Sequence, residues 1–287
     1  MNKITVSAPA KLNFNLHVLP QKLADGYYEV RFLNHQVGLA DEIILEESAN
    51  GTSLICDIKQ TPLGEKNLAY RAAQIVMSQF PDRGGIKITL KKKIPVAGGL
   101  GGGSADAAAV INGLDKLWKL NLKKEEKLKI AQNLGMDVCY CVIGGTCLVT
   151  GAGEKIEKLP FSIPQIPLLI VSPTLQKPST SWAYGQLNSG KIGRNLHKLE
   201  GLTAAIKEKN IVAIAKNLYN DFEEPIFAVY PEVKEIKEKM IESGALGSLL
   251  AGSGLSVFGL YRDEKTAQKA YHFLQKQYHQ VFLTRVL

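Results

Sequence analysis

The sequence predicts an α+β protein of two domains. Segments with strand-like and helix-like patterns both occur along the chain, but they do not alternate strictly, as a doubly wound parallel sheet would require. The length of 287 residues suits about two domains of ordinary size. Pro160, Pro164 and Pro167 interrupt the pattern, so we expect an N-terminal domain over 1–160 and a C-terminal domain over 161–287.

Each element follows from its local pattern of residues. Alternation and β-branched content predict strands over 3–8, 12–18, 42–47, 53–58, 86–90, 168–171 and 256–261, and a last strand at the end of the chain. Helical spacing of apolar residues predicts helices over 65–80, 105–120, 124–134, 180–187, 196–218 and 231–242, and one more before the last strand. Neither repeats nor low-complexity tracts are found, so the chain is expected to fold as a globular protein.

Composition narrows the class of partner. The net charge is +8 and the isoelectric point is near 9.1, which suits an anionic partner. The lysines are scattered, and the sequence has neither an arginine-rich tract nor an RNA-binding signature with interleaved aromatic residues. A phosphorylated small molecule is therefore a better expectation than nucleic acid.

The sequence also predicts a cytoplasmic protein without a membrane span. The N-terminus lacks the apolar core of a secretory signal, and no stretch approaches the roughly 18 apolar residues of a membrane helix. The four cysteines, Cys56, Cys139, Cys141 and Cys147, lack the paired spacing of a zinc site. We expect reduced thiols, with the C-x-C pair buried in a strand. A monomer and a homodimer both remain open.

The densest glycine cluster lies between a strand and a helix, over 98–104. Glycines let the backbone approach a ligand closely, and a helix start offers free N–H groups to an anion. Ser104 is expected to be the N-cap, where its hydroxyl could also contact a phosphate or Mg²⁺. No lysine separates Gly103 from Ser104, which excludes a Walker A loop, and the context of a dinucleotide-binding fold is missing. The cluster therefore predicts phosphate binding.

Several segments, in this order along the chain, resemble one family. The segment Pro95–Ala105 resembles the ATP-binding motif of the GHMP kinases. The segments 8–13 (APAKLN), 24–29 (ADGYYE), 135–138 (GMDV), 220–223 (NDFE) and 252–254 (GSG) resemble motifs of the branch that phosphorylates 4-diphosphocytidyl-2-C-methyl-D-erythritol. The resemblance implies a two-domain GHMP kinase fold, with a ribosomal-protein-S5-like N-terminal domain and a ferredoxin-like C-terminal domain. It also implies transfer of phosphate from ATP, with Mg²⁺, to the 2-hydroxyl of that substrate in non-mevalonate isoprenoid biosynthesis.

The resemblance also implies the catalytic and nucleotide-binding residues. Lys11 is expected to orient the hydroxyl and balance charge on the transferring phosphoryl group, and Asp137 to accept or orient the hydroxyl proton. The expected nucleotide-binding residues are Pro95, Val96, Ala97, Gly98, Gly99, Leu100, Gly101, Gly102, Gly103, Ser104 and Ala105. The Mg²⁺ ligand could be Ser104, an acidic residue or mainly ATP itself.

The expected substrate-binding residues are Asn13, Tyr27, Tyr28, Tyr184, Gly252, Ser253 and Gly254. Adjacent strand residues face opposite ways, so only one of the paired tyrosine rings is expected to reach the cytosine. We expect Tyr27 to contact it by its side chain and Tyr28 to lie beside backbone contacts, with plain core packing the alternative for all three tyrosines. The family carries histidine where this chain has Tyr28, and proline where it has Cys139.

Two other functions stay open at this point. A different GHMP kinase would act on homoserine, mevalonate or an isoprenoid phosphate, but the segment 24–29 argues against it because the cytidine signature lies there. A nucleotide sensor on the same scaffold would bind ATP without catalysis. The presence of both Lys11 and Asp137 argues against a sensor.

Overall fold

The computed structural model describes residues 2–24 and 26–287. The strands are β1 Lys3–Lys22, β2 Tyr28–Ser48, β3 Thr52–Cys56, β4 Gly85–Lys91, β5 Cys147–Thr150, β6 Lys155–Lys158, β7 Pro167–Ser172, β8 Tyr219–Asn220, β9 Gly247–Leu250, β10 Val257–Leu260 and β11 Gln280–Arg285. The α-helices are α1 Leu68–Gln79, α2 Gly102–Trp118, α3 Lys124–Gln132, α4 Met136–Ile143, α5 Thr180–Gly185, α6 His197–Lys207, α7 Ile211–Lys216, α8 Glu223–Val229, α9 Pro231–Glu242 and α10 Glu264–Leu274. Short 3-10 helices, Gly64–Lys66 and Pro81–Arg83, flank α1. This mixture confirms the predicted α+β class.

One compact unit contains the described residues up to Lys11 together with Leu39–Val96 and Gly101–Gly144. Its strands follow the order β3-β4-β2-β1, with β4 antiparallel to β2 and parallel to β3. The alanine-rich helix α2 packs against α1 and α4. It also lies close to the sheet, because a Cβ at Gly113 would overlap the side chain of Leu45. This unit therefore holds α2 rigidly between a sheet and two helices.

The other unit contains Leu12–Gly38, Ala97–Leu100 and Gly145–Leu287. Its four-stranded antiparallel sheet has the order β11-β7-β10-β9, with α8 and α9 between β7 and β9, and α10 between β10 and β11. A β-α-β-β-α-β chain with this strand order has the ferredoxin-like arrangement expected for the C-terminal half. A smaller set of pairings joins β2 to β5, β5 to β6, and β1 to β8.

The predicted break in the first strand is wrong. Strands were expected over 3–8 and 12–18, but β1 is continuous through Pro9 and Lys11. Within the described part of the chain, β8 pairs with β1 only at Asn15 and Leu16. At Pro9, β1 therefore lacks that neighbour, and a residue without a backbone N–H is tolerated at such an edge.

Other differences concern short elements. The expected helix over 196–218 is two helices, α6 and α7, separated at Lys209, whose φ of 54° no helix interior accommodates. The C-x-C pair lies in α4 and not in a strand. All four cysteines are free, as predicted, and three of them are buried.

Within residues 2–24 and 26–287, no helix combines the length and apolarity that crossing a membrane demands. The cytoplasmic location and the domain boundary at residue 160 stay predictions.

Candidate active site

The mouth of α2 is built to receive an anion. Gly101 is the N-cap, with φ 70° and ψ 21° in the left-handed region that favours glycine. Ala105 donates the first intrahelical hydrogen bond, to the carbonyl of Gly101 at 2.8 Å. The N–H groups of Gly102, Gly103 and Ser104 precede that bond, so helix geometry gives them no intrahelical acceptor. Together with the helix dipole they favour a bound phosphate.

The predicted N-cap is wrong by three residues. Ser104 is the third residue of α2, and no side chain caps the helix. The helix begins earlier because Gly101 takes the left-handed conformation without the steric cost that a Cβ would bring. The Ser104 hydroxyl is therefore not used as a cap and lies in the first turn of α2.

Lys11 and Asp137 lie at the same helix mouth. The distance from Lys11 Nζ to Asp137 Oδ2 is 3.7 Å, within ion-pair range but too long for a hydrogen bond. The Lys11 side chain is 8% exposed, whereas that of Asp137 is 44% exposed. The methylenes of Lys11 run beside the N-cap, because a Cβ at Gly101 would come within 2.9 Å of Lys11 Cγ. The two residues that the sequence predicts as catalytic are therefore neighbours, beside the glycine-rich helix start.

Local structure around Asp137 explains its position. Gly135 precedes α4 with φ 146° and ψ 160°, a conformation that lets the chain turn sharply into the helix. Asp137 follows in the first turn, where the helix dipole stabilises a carboxylate. Behind it, burial raises the pKa of the Cys141 thiol well above its usual range, and the Asp137 carboxylate adds to the rise. The buried Cys141 thiol is therefore neutral and is not a nucleophile.

A second glycine-rich turn packs directly on the first. Ser256 N donates to the carbonyl of Gly98 at 3.2 Å. A Cβ at Gly99 would overlap the carbonyl oxygen of Ala251, and one at Gly254 would overlap the carbonyl of Gly98. The two segments therefore touch backbone to backbone, which only glycine at both positions permits.

Asn220 holds that second turn and was given no role from the sequence. Its side chain is buried, and Nδ2 donates to the carbonyls of Leu250 at 2.9 Å and Gly252 at 2.7 Å. Its Oδ1 accepts from Phe222 N at 3.0 Å. Asn220 thereby fixes the start of the bend whose later residues, Gly254 and Ser256, contact Gly98. In the sequence, only its place in the segment 220–223, which resembles a family motif, points to a role for Asn220.

The tyrosines predicted for the base differ in their surroundings. The rings of Tyr28 and Tyr184 stack, with centroids 6.2 Å apart and planes inclined by 15°. Tyr184 also packs edge-on against Phe222, with centroids 5.0 Å apart. Tyr27 is 67% exposed. Asp25, in the segment 24–29, lies outside the described residues.

Asn13, predicted to contact the sugar-alcohol, is buried in β1. Its Nδ2 donates to Asn34 Oδ1 at 2.6 Å, and both side chains are almost fully buried. Asn34 Nδ2 has no hydrogen-bond partner within the described part of the chain. A buried polar atom of this kind is costly unless a water or ligand satisfies it.

Comparison with known proteins gives the family. The model for the GHMP kinases N terminal domain matches residues 67–145, and the GHMP kinases C terminal model matches 202–280. The chain is 39% identical to the 4-diphosphocytidyl-2-C-methyl-D-erythritol kinase of Acetivibrio thermocellus, covering 100% of both chains. It is 40% identical to the enzyme of the same name from Syntrophomonas wolfei, covering 98% of this chain and 97% of that one.

The chain belongs to the GHMP kinase family. A crystal structure of 4-(cytidine 5'-diphospho)-2C-methyl-D-erythritol kinase matches this kinase with a TM-score of 0.86 and 31% identity, over 99% of both chains. A homoserine kinase from Cytophaga hutchinsonii matches with a TM-score of 0.79 at 22% identity, covering 100% of this chain and 95% of that one, which shows the shared fold. The predicted two-domain fold and the predicted class, an ATP-dependent small-molecule kinase, are confirmed.

The kinase offers few side-chain ligands for a metal at this site. Among residues 2–24 and 26–287, no group of three or more histidine, cysteine, aspartate or glutamate side chains could hold a metal ion. Magnesium characteristically keeps several waters and uses one or two protein oxygens plus substrate phosphates. The Ser104 hydroxyl, in the first turn of α2, and the phosphates of ATP fit such a donor set.

Proposed function

We propose that this kinase transfers the γ-phosphate of ATP to the 2-hydroxyl of 4-diphosphocytidyl-2-C-methyl-D-erythritol. The observation that carries the proposal is full-length identity of 39–40% to relatives of that name. The pairing of Lys11 with Asp137 beside the start of α2 supports it, because phosphoryl transfer requires positioning and charge neutralisation at one point.

Asp137 is the proposed acceptor or orienting group for the hydroxyl proton. Its carboxylate is accessible, and at 3.7 Å it is not hydrogen-bonded to the Lys11 ammonium, so an oxygen lone pair stays available to a substrate hydroxyl. Lys11 would hold the same hydroxyl oxygen and stabilise negative charge as it develops on the phosphoryl group.

The segment Pro95–Ala105 is the proposed nucleotide-phosphate site. The N–H groups of Gly102, Gly103 and Ser104 would bind phosphate oxygens at the helix mouth. Bound Mg²⁺ would neutralise charge on the phosphates, and the Ser104 hydroxyl is the side chain proposed to hold it. Ala97, with φ 60°, is a non-glycine residue in a strained conformation, a common feature of ligand-binding segments.

The cytidine end would be recognised by the aromatic residues. We propose that the accessible ring of Tyr27 contacts the base, while Tyr28 supports it from its stack with Tyr184. Asn13 would contact the sugar-alcohol, and Gly252–Gly254 would offer amides to its phosphates. Truncating the contacting ring should cost about 1–3 kcal/mol of binding, the range known for base–aromatic stacking.

A substrate panel in an ADP-release assay tests the proposal. The purified kinase is offered ATP with the cytidyl substrate, homoserine or mevalonate, and the product is identified by phosphorus NMR. We expect turnover with the cytidyl substrate alone, and a raised KM for that substrate, with unchanged KM for ATP, in Tyr27→Ala. Turnover with homoserine or mevalonate but not with the cytidyl substrate would refute the assignment. Binding of ATP without any turnover would favour a nucleotide sensor.

A further inference from the structure

A buried lysine joins three separate segments near the start of α2. Lys92, the residue after β4, has its Nζ 2.5 Å from Asp41 Oδ2 and 2.6 Å from Asp106 Oδ2. Asp41 lies in β2 and Asp106 in the second turn of α2. The three side chains are 5%, 0% and 3% exposed in that order. One ammonium thus ties a helix to two strands in the protein interior.

Asp41 also holds the chain where it enters the glycine-rich segment. Its Oδ1 accepts hydrogen bonds from Lys93 N at 2.5 Å and Ile94 N at 2.8 Å. Pro95, the first residue of the ATP-binding motif, follows directly. Both oxygens of Asp41 are therefore engaged, one by the exit from β4 and the other by Lys92.

The same residues touch the first residue of the helix. A Cβ at Gly102 would come within 3.0 Å of Ile94 Cγ2 and 3.5 Å of Lys92 Nζ. Lys92 and Ile94 thus form the surface on which the first turn of α2 rests. A shift of either would move the N–H groups at the helix mouth.

Stability alone explains this cluster poorly. A buried ion pair gains little over apolar residues of the same volume, because desolvation offsets the attraction. Asp106 Oδ1 has no hydrogen-bond partner among the described residues, which is a further cost. Desolvation acts to lower the pKa of Lys92, but the two carboxylates outweigh it and raise that pKa. Such a cluster is better suited to fixing the relative positions of the segments that it joins.

We propose that Lys92, together with Asp41 and Asp106, is a positioning group that fixes the start of α2 relative to the exit of β4. It thereby holds the phosphate-binding N–H groups of Gly102–Ser104 in position. The inference rests on the proposed function only in that these amides bind the phosphates of ATP. The Lys92 ammonium is held by two carboxylates and therefore does not contact the nucleotide. It affects nucleotide binding through the backbone that it supports.

The test measures nucleotide affinity in variants of the full chain. In Asp106→Leu, and in the double variant Lys92→Met/Asp106→Leu, we expect the dissociation constant of a non-hydrolysable ATP analogue to rise about tenfold or more, as misplaced binding groups would cause. The KM for the cytidyl substrate should not change. In Asp106→Asn, the amide oxygen can still accept from Lys92, so a smaller loss is expected.

Asp115→Leu is the matched control. Asp115 lies farther along α2 and pairs with Lys127 at 2.6 Å, so the substitution also removes a lysine–carboxylate pair from this helix. We expect its ATP affinity to equal that of the wild type. The double variant leaves one buried carboxylate, Asp41, without the lysine, whereas Lys92→Met alone leaves two. Asp41 keeps the N–H groups of Lys93 and Ile94 as donors, so the double variant should lose less stability than Lys92→Met.

The outcomes separate the two proposals. Wild-type ATP affinity in a folded Lys92→Met/Asp106→Leu variant would overturn the positioning role. If the leucine variants do not fold, wild-type affinity in Asp106→Asn would overturn it instead. Failure of the wild type to phosphorylate the cytidyl substrate would refute the proposed function. The affinities of the variants for the ATP analogue could still be compared, so the positioning role would remain testable.

Discussion

Two lysine–carboxylate clusters lie near the start of α2, and they differ in almost every respect. Lys11 and Asp137 are 3.7 Å apart, and Asp137 is nearly half exposed. Lys92 is held by Asp41 and Asp106 at 2.5 and 2.6 Å, and all three side chains are buried. The first cluster presents an accessible carboxylate, Asp137, whereas all three side chains of the second cluster are closed off from solvent.

This difference shows how one residue type serves two purposes near one site. A carboxylate that must act on a substrate hydroxyl has to be accessible to it. A group that must hold the backbone still requires short, buried contacts. We therefore expect substitutions in the first cluster to affect kcat, and substitutions in the second to affect stability and ATP binding.

The largest effect is expected for Asp137→Asn. Losing the carboxylate should lower kcat by about 10²–10⁴-fold, the usual contribution of a positioned general base. Affinity for the ATP analogue should stay close to that of the wild type, as measured by calorimetry. Asp115→Asn is the control, since it alters another lysine-paired carboxylate away from the helix mouth. Lost ATP affinity in a folded Asp137→Asn variant would show that its role is misassigned.

The next effect compares the two lysines directly. Lys11→Met should lower kcat by about 10²–10³-fold, as for other groups that stabilise developing charge, with little change in the free energy of unfolding. Lys92→Met should instead destabilise the fold by about 3–5 kcal/mol, because it leaves two buried carboxylates without their counter-charge. Urea unfolding and single-turnover kinetics measure the two quantities. Equal losses of unfolding free energy in Lys11→Met and Lys92→Met would contradict the proposed difference between the two clusters.

A smaller effect is expected at the N-cap. Gly101→Ala should cost about 1–2 kcal/mol of stability, because alanine is strained at a φ of 70°. Its Cβ would also press on Lys11, so kcat should fall as well. Gly51→Ala is the control, because Gly51 has a φ of 66° and no atoms lie within 4 Å of an added Cβ. A similar loss of stability without a loss of kcat is expected there, and equal kcat in both variants would contradict the role of Gly101.

The last effect concerns pH. The pKa of Asp106 is raised to about 7 by burial and Asp41, against Lys92, and the buried Cys141 thiol of α4 also lies within electrostatic range. A raised pKa favours the folded state at low pH, and that advantage is lost as pH rises from about 4 to about 7. The stability of the wild type relative to Asp106→Asn should therefore fall over this range and stay constant above it. A difference that does not change with pH, measured by urea unfolding, would contradict this reading.

Sequence and structure agree where residue type alone carries the chemistry. The glycine cluster before α2 was recognisable because glycine permits close backbone approach and positive φ, and the family resemblance selected Lys11 and Asp137 among many similar residues. The helix start was misplaced by three residues, because a serine is a common N-cap and the sequence does not show that Gly101 turns into the left-handed region.

The supporting contacts were not predictable. Asp41, Lys92 and Asp106 come from separate segments, and nothing in their local patterns distinguishes them from surface charges. Asn220 likewise acts only through carbonyls that the fold brings to it. Such roles arise from tertiary packing, which local periodicity does not encode.

We propose that the helix mouth at Gly102–Ser104 binds the phosphates of ATP and directs them to Lys11 and Asp137. A crystal structure with a non-hydrolysable ATP analogue and the cytidyl substrate would show where the phosphates bind. We expect phosphate oxygens within about 3.2 Å of those backbone nitrogens, with the substrate 2-hydroxyl beside Asp137. Nucleotide phosphates bound elsewhere, with the mouth of α2 left to solvent, would contradict it.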